Sequence, residues 1–161
     1  MRSIPILLVV ALLLPAQAHA AGRYGWPLQP RPRLVTAYDP PAQRWQSGHR
    51  GVDLAAAVGQ PVLAAGDGTV TFAGRVGGKP VVAIRHSPTL WTTYEPVEAK
   101  VAVGDSVRRG DVVGVVREGH EGCPVAICLH WGARTGSGHD AGYRNPLGLV
   151  GGLRVRLYPV S

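Results

Sequence analysis

From Gln60 onward the hydrophobic positions fall in short runs rich in Val, Thr and Ile, separated by Gly-containing turns. The runs cover residues 61–65, 68–74, 81–86, 90–95, 106–108, 112–117 and 125–131. Each is strand-length rather than helix-length. Asp67-Gly68, Gly77-Gly78 and Ser87-Pro88 supply the backbone chemistry of reversals between them, Asp67-Gly68 in particular suiting the positive φ of a tight turn. A closing run, 153–158, alternates Leu153, Val155 and Leu157 with Arg154, Arg156 and Tyr158, the pattern of an edge strand with one buried face. A short turn at 146–150 is the only helix candidate in the body, and it is too brief to organise a core. The pattern predicts an all-β fold: a small antiparallel, β-sandwich-like arrangement running as a meander, with long loops and little helix.

The N-terminal third reads differently. Arg2, an apolar run from Ile4 to Leu14, and Ala18-His19-Ala20 form the charged, hydrophobic and small-x-small regions of a signal peptide at 1–20. Residues 21–41 contain Pro27, Pro30, Pro32, Pro40 and Pro41, which lock φ and remove donors, so they are expected as an extended Pro-rich arm; Tyr24, Trp26 and Leu28 suit an arm laid along the domain. The single domain is then expected over 42–161. After the leader no apolar stretch is long enough to span a membrane, and the expected location is secreted, extracellular or cell-wall associated.

Composition narrows the partners. Lys plus Arg number 17 against 10 Asp plus Glu, a net +7. Removing the leader removes only Arg2 of these, leaving 16 against 10. The basic residues are scattered, with Arg108-Arg109 the only adjacent pair, and no aromatic interleaving accompanies them, so nucleic-acid binding is excluded as a reading. An exported basic surface is instead compatible with an anionic envelope.

Candidate chemistry lies with the histidines. His49 and Asp53 are four residues apart, and His130 precedes Trp131 on a late run; nitrogen and oxygen donors of this kind suit zinc. Spacing alone leaves His49 and Asp53 equally open to being a hydrogen-bonded surface pair. Cys123 and Cys128, an even pair in an exported chain, read as one disulfide just before His130. The rival reading makes Cys128 a zinc thiolate, because residues 128 and 130 share one side of a strand.

His49-x-x-x-Asp53 within GHRGVDLAAAVGQPVLAAGDGTV, Thr92-Thr93-Tyr94, and the later Leu129-His130-Trp131 resemble the M23 peptidases, the LytM- and lysostaphin-like zinc metalloendopeptidases that cut peptidoglycan stem peptides or cross-bridges. The resemblance is specific over residues 45–131. It implies His49, Asp53 and His130 as zinc ligands and peptidoglycan or its peptides as partner. The first histidine of the family's His-x-His falls on Cys128, and the family histidine two residues after the Tyr falls on Pro96. The expectation from the motifs is therefore a site with both auxiliary catalytic histidines replaced, for which His120, Glu95 and His86 are the candidate substitutes. Two functions follow: a zinc-dependent endopeptidase hydrolysing peptide amides in the wall, or a silent LytM-like module that binds the wall or regulates an envelope hydrolase partner.

Overall fold

The computed structural model describes residues 22–43, 45–136 and 142–151; the expected leader at 1–20 and the expected edge strand at 153–158 lie outside these. The strands are β1 (Leu34–Thr36), β2 (Gly51–Ala55), β3 (Pro61–Leu63), β4 (Gly68–Val76), β5 (Lys79–Ser87), β6 (Leu90–Glu95), β7 (Val97–Ala99), β8 (Ser106–Val107), β9 (Val112–Val116), β10 (Cys128–Thr135) and β11 (Gly142–Arg144). A 3₁₀ turn follows at Pro146–Val150, capped by the Asn145 side chain, which accepts from the Leu147 amide. The all-β expectation holds.

Two antiparallel sheets form. The larger has the order β1-β2-β10-β6-β5-β4-β8, with β11 also pairing β10; the smaller is β3-β9-β7. The expected meander is confined to β4, β5 and β6. The β4–β5 hairpin turns at Gly77 and Gly78, whose φ of 56° and 83° are the consecutive positive values a tight two-residue reversal requires. Beyond β6 the chain leaves for the smaller sheet and returns as β10, which inserts between β6 and β2. Local patterning cannot specify that long-range insertion. β1, β2, β7 and β11 are also additional to the runs read from the pattern, since segments of three to five residues carry little period-two signal.

One apolar cluster joins the sheets. Val52, Leu54, Val82, Ile84, Tyr94, Leu129 and Trp131 from the larger sheet meet Val62, Val97, Val113 and Val116 from the smaller, all fully or almost fully buried. Side chains alternate across a strand, so burying 52 and 54 on β2, and 129 and 131 on β10, turns Asp53 and His130 to the opposite face. The core thus anchors two strands whose outward residues are ionisable.

Residues 22–41 run along this domain. Leu28 is completely buried in the core and Trp26 packs against it, its ring 6.2 Å from that of Trp131. Backbone hydrogen bonds from Gly25 to Ala65 O and from Leu63 to Pro27 O fasten the segment, and β1 then pairs with β2. The prolines leave donors missing, but an edge segment needs only some of its amides bonded.

Candidate metal centre

Asp53 and His130 are direct partners in the β2–β10 register, which puts both side chains on one face. Gly51 makes room for them. A Cβ at residue 51 would lie 2.6 Å from His130 Nε2 and 2.5 Å from the Trp131 carbonyl oxygen, a distance at which atoms must shift. His49 enters just before β2, held by an isolated bridge with Asp39 in which each amide donates to the other's carbonyl, at 3.0 and 2.7 Å. Its Nδ1 donates to Ala37 O at 2.6 Å, so in the neutral ring Nε2 keeps its lone pair and points into the site.

His49 Nε2 lies 3.0 Å from Asp53 Oδ1 and 3.1 Å from His130 Nδ1, and His130 Nδ1 lies 2.9 Å from the same carboxylate oxygen. A fourth group, His120, comes from the loop between β9 and β10 and brings Nε2 to 3.0 Å from Asp53 Oδ1. The four donor atoms lie within 4.8 Å of one another. Motif reading expected a site depleted by replacement of both auxiliary histidines; that expectation is corrected, because an intact four-residue cluster is present and its fourth imidazole arrives from a loop. Positions 96 and 128 do not supply it, so no spacing rule for the family points to residue 120.

The electrostatics suit a cation. Asp53 is almost completely buried, and burial by itself would raise its pKa, but hydrogen bonds from His120 and His130 outweigh this and hold the carboxyl well below the ordinary carboxylate range. A buried carboxylate and an imidazole lone pair directed at one point repel unless a proton or metal ion lies between them. Separations of 2.9–3.1 Å among the His49, Asp53 and His130 donor atoms are short enough for the three to share one cation. The residues therefore fit a divalent metal by donor type, spacing and charge.

The other two candidate substitutes are placed elsewhere. Glu95 is the β6 partner of His130 and so shares its face, but its carboxylate is 3.6 Å from Lys79 Nζ and is not one of the cluster. His86 lies on the core face. Its Nδ1 donates to Asp67 O at 2.8 Å, and its Nε2 is 2.7 Å from the Thr92 hydroxyl, which lies 2.7 Å from the Tyr94 hydroxyl, itself accepting from the Ala65 amide at 2.9 Å. Burial pushes the Tyr94 phenol up to about 12. Cys123 and Cys128 are joined as a disulfide, which removes Cys128 from consideration as a thiolate ligand.

Comparison with known proteins accords with this geometry. Residues 47–142 match the family model for peptidase family M23. The chain belongs to peptidase family M23. It is 49% identical over 157 residues to an uncharacterized protein of Mycobacterium tuberculosis, an alignment covering 97% of this chain and 63% of the relative. The chain thus spans less than two thirds of that relative's length. The DD-carboxypeptidase/endopeptidase Mpg of Neisseria gonorrhoeae is 41% identical over 87 residues, 53% of this chain and 20% of Mpg. Among solved structures, lysostaphin from Staphylococcus simulans superposes with a TM-score of 0.67 at 23% identity, covering 83% of this M23 chain and 56% of lysostaphin, which supports the shared fold.

Proposed function

We propose that this chain is an exported, zinc-dependent hydrolase of peptidoglycan, cleaving peptide amides in stem peptides or cross-bridges. The observation that carries the reading is the gathering of donor atoms from His49, Asp53, His120 and His130 within 4.8 Å of one another, on the face of the sheet opposite the core. The family supports the class of chemistry, and Mpg, by its name a DD-carboxypeptidase/endopeptidase, supports a peptide as the substrate. In this reading residues 1–20 are the leader removed on export, and residues 21–41 precede the peptidase domain at 42–161. Among the described residues no helix is long and apolar enough to cross a membrane.

His49, Asp53 and His130 would hold the metal, an N/O donor set suited to zinc. When bound, zinc supplies Lewis acidity toward a peptide carbonyl and lowers the pKa of water. His120 holds and moves the proton: its Nε2 faces the cluster, and its Nδ1 is buried with no hydrogen-bond partner among the described residues. Asp53 orients the three imidazoles around a single oxygen. Glu95 is occupied by Lys79 and His86 by Asp67 and Thr92, so neither takes this role.

Zinc content and peptide release from isolated sacculi, measured for the wild type, His130→Ala and His120→Ala, test the assignment. His130→Ala is expected to lose zinc and activity together. His120→Ala is expected to retain zinc while the turnover rate falls roughly 10²- to 10⁴-fold, the range for loss of a positioned proton-transfer group. Full zinc occupancy with no peptide released from several cross-bridge chemistries would sink the hydrolase reading in favour of a wall-binding or hydrolase-regulating module.

A further inference from the structure

Asp53 and His130 sit on paired strands and His49 is held by its isolated bridge with Asp39, whereas His120 has no such backbone pairing among the described residues. It belongs to residues 117–127, which connect β9 to β10 without regular structure. Gly119 and Gly122, with φ of 107° and 80°, flank His120-Glu121 and fold the chain back. Among the described residues, no backbone hydrogen bond joins residues 118–122 to another element. Glu121 is exposed and only 4.0 Å from Lys79, too loose and too solvated to locate the loop. Yet the His120 side chain is only 12% exposed and reaches Asp53.

The loop's two ends are tied to the sheets, by the Arg117 amide donating to Pro96 O at 3.0 Å and the Ala56 amide donating to Ile127 O at 3.1 Å, and between them a covalent connection reaches the turn. The Cys123 amide donates to His120 O at 3.4 Å, so the turn carrying His120 hangs on Cys123. Cys123 is bonded to Cys128, the buried first residue of β10, with their Cα atoms 5.8 Å apart. Two positions further along that strand is His130, on the same face.

We propose that the Cys123–Cys128 disulfide is the positioning device for His120: the intact bond holds the loop imidazole against Asp53, and opening it withdraws His120 while the His49–Asp53–His130 trio stays assembled. A dithiol or phosphine reductant supplies the two electrons. The sulfur–sulfur bond breaks, both cysteines become thiols, and the reductant is oxidised to its disulfide or, with water, to its phosphine oxide. The assignment of a proton-transfer role to His120 rests on the proposed hydrolase function; the positional claim does not.

Carbethoxylation of histidines by diethyl pyrocarbonate, resolved by peptide mass, reads that position without reference to activity. In the zinc-loaded wild type His120 is expected to be protected. In Cys123→Ser/Cys128→Ser it is expected to react at least about tenfold faster, the scale of a local opening, while His49 and His130 keep their rates and zinc stoichiometry is unchanged. Should the double variant fail to fold, the folded wild type reduced by a phosphine serves the same comparison. Turnover completes a cycle with His120→Ala. Loss of the cysteines is expected to slow the wild type at least roughly tenfold but His120→Ala less than about twofold, because the group being positioned is already gone. Continued protection of His120 without the disulfide overturns the proposal, as do zinc loss on its removal or an equal cost in both backgrounds. If no hydrolysis is detected even in the wild type, the function falls while the labelling still decides the position of His120.

Discussion

At the scale of single residues, the histidines among the described residues occupy two environments, on opposite faces of one sheet. His120 and His130 bond to a carboxylate, whereas His86 sits in a neutral chain running from the Ala65 amide through Tyr94, Thr92 and the imidazole to Asp67 O. That chain is satisfied when His86 Nδ1 carries a proton and Nε2 does not, and burial lowers the His86 pKa from 6.5 despite the opposing Asp67 carbonyl. Because the folded-state value lies below the unfolded one, the unfolded chain binds more protons in the interval between them. Stability from this residue is therefore complete above 6.5 and lost as pH falls through the folded value. Urea unfolding of His86→Gln against the wild type is expected to show a loss of about 1–3 kcal/mol at pH 8 that shrinks as the pH drops below 6.5; a difference independent of pH would refute the neutral-chain account. His49, Asp53 and His130 were legible in the sequence because a four-residue spacing and a strand motif carry them. His120 was legible only as one of several candidates, since its approach depends on a loop and a cystine rather than on periodicity.

At the scale of elements, the N-terminal segment decides how His49 is held. Ala37 O fixes the ring nitrogen that faces away from the cluster, and the Asp39–His49 bridge fixes the backbone. Both contacts come from residues before the family match, which starts at residue 47. Their proline content predicted an extended arm, and extension is what allows Leu34–Thr36 to pair with β2 as an edge strand. The packing of Leu28 and Trp26 was readable from their apolar character, but the backing of His49 was not, because it comes from a main-chain carbonyl and an isolated bridge that no residue pattern announces. Asp39→Pro removes the amide that donates to His49 O while leaving every expected ligand in place. Zinc affinity, measured by competition with a chromogenic chelator, is expected to fall roughly 10- to 100-fold, the usual cost of disturbing a group that orients a metal ligand. Unchanged affinity would show that β2 and β10 orient the site unaided.

At the scale of the whole molecule, one sheet separates an apolar core from a charged working face, and net charge acts across the remaining surface. Strand-length runs and turn chemistry made the all-β class legible. The insertion of β10 between β2 and β6 was not, although it is this non-local pairing that sets His130 opposite Asp53. The excess of 17 basic over 10 acidic side chains is scattered through the sequence and forms no motif, so its effect should be long-range attraction to an anionic wall rather than recognition of one group. Such attraction is screened: the Debye length is about 10 Å at 0.1 M salt and about 3 Å at 1 M. Binding to intact sacculi and their cleavage should therefore weaken steeply as salt rises over that range. Cleavage of a short, uncharged peptide substrate should change little, because the metal ligands and the buried carboxylate act at contact distance. Equal salt sensitivity for both substrates would place the dependence in the site itself, and none for sacculi would remove net charge from the account of how the protein reaches the wall.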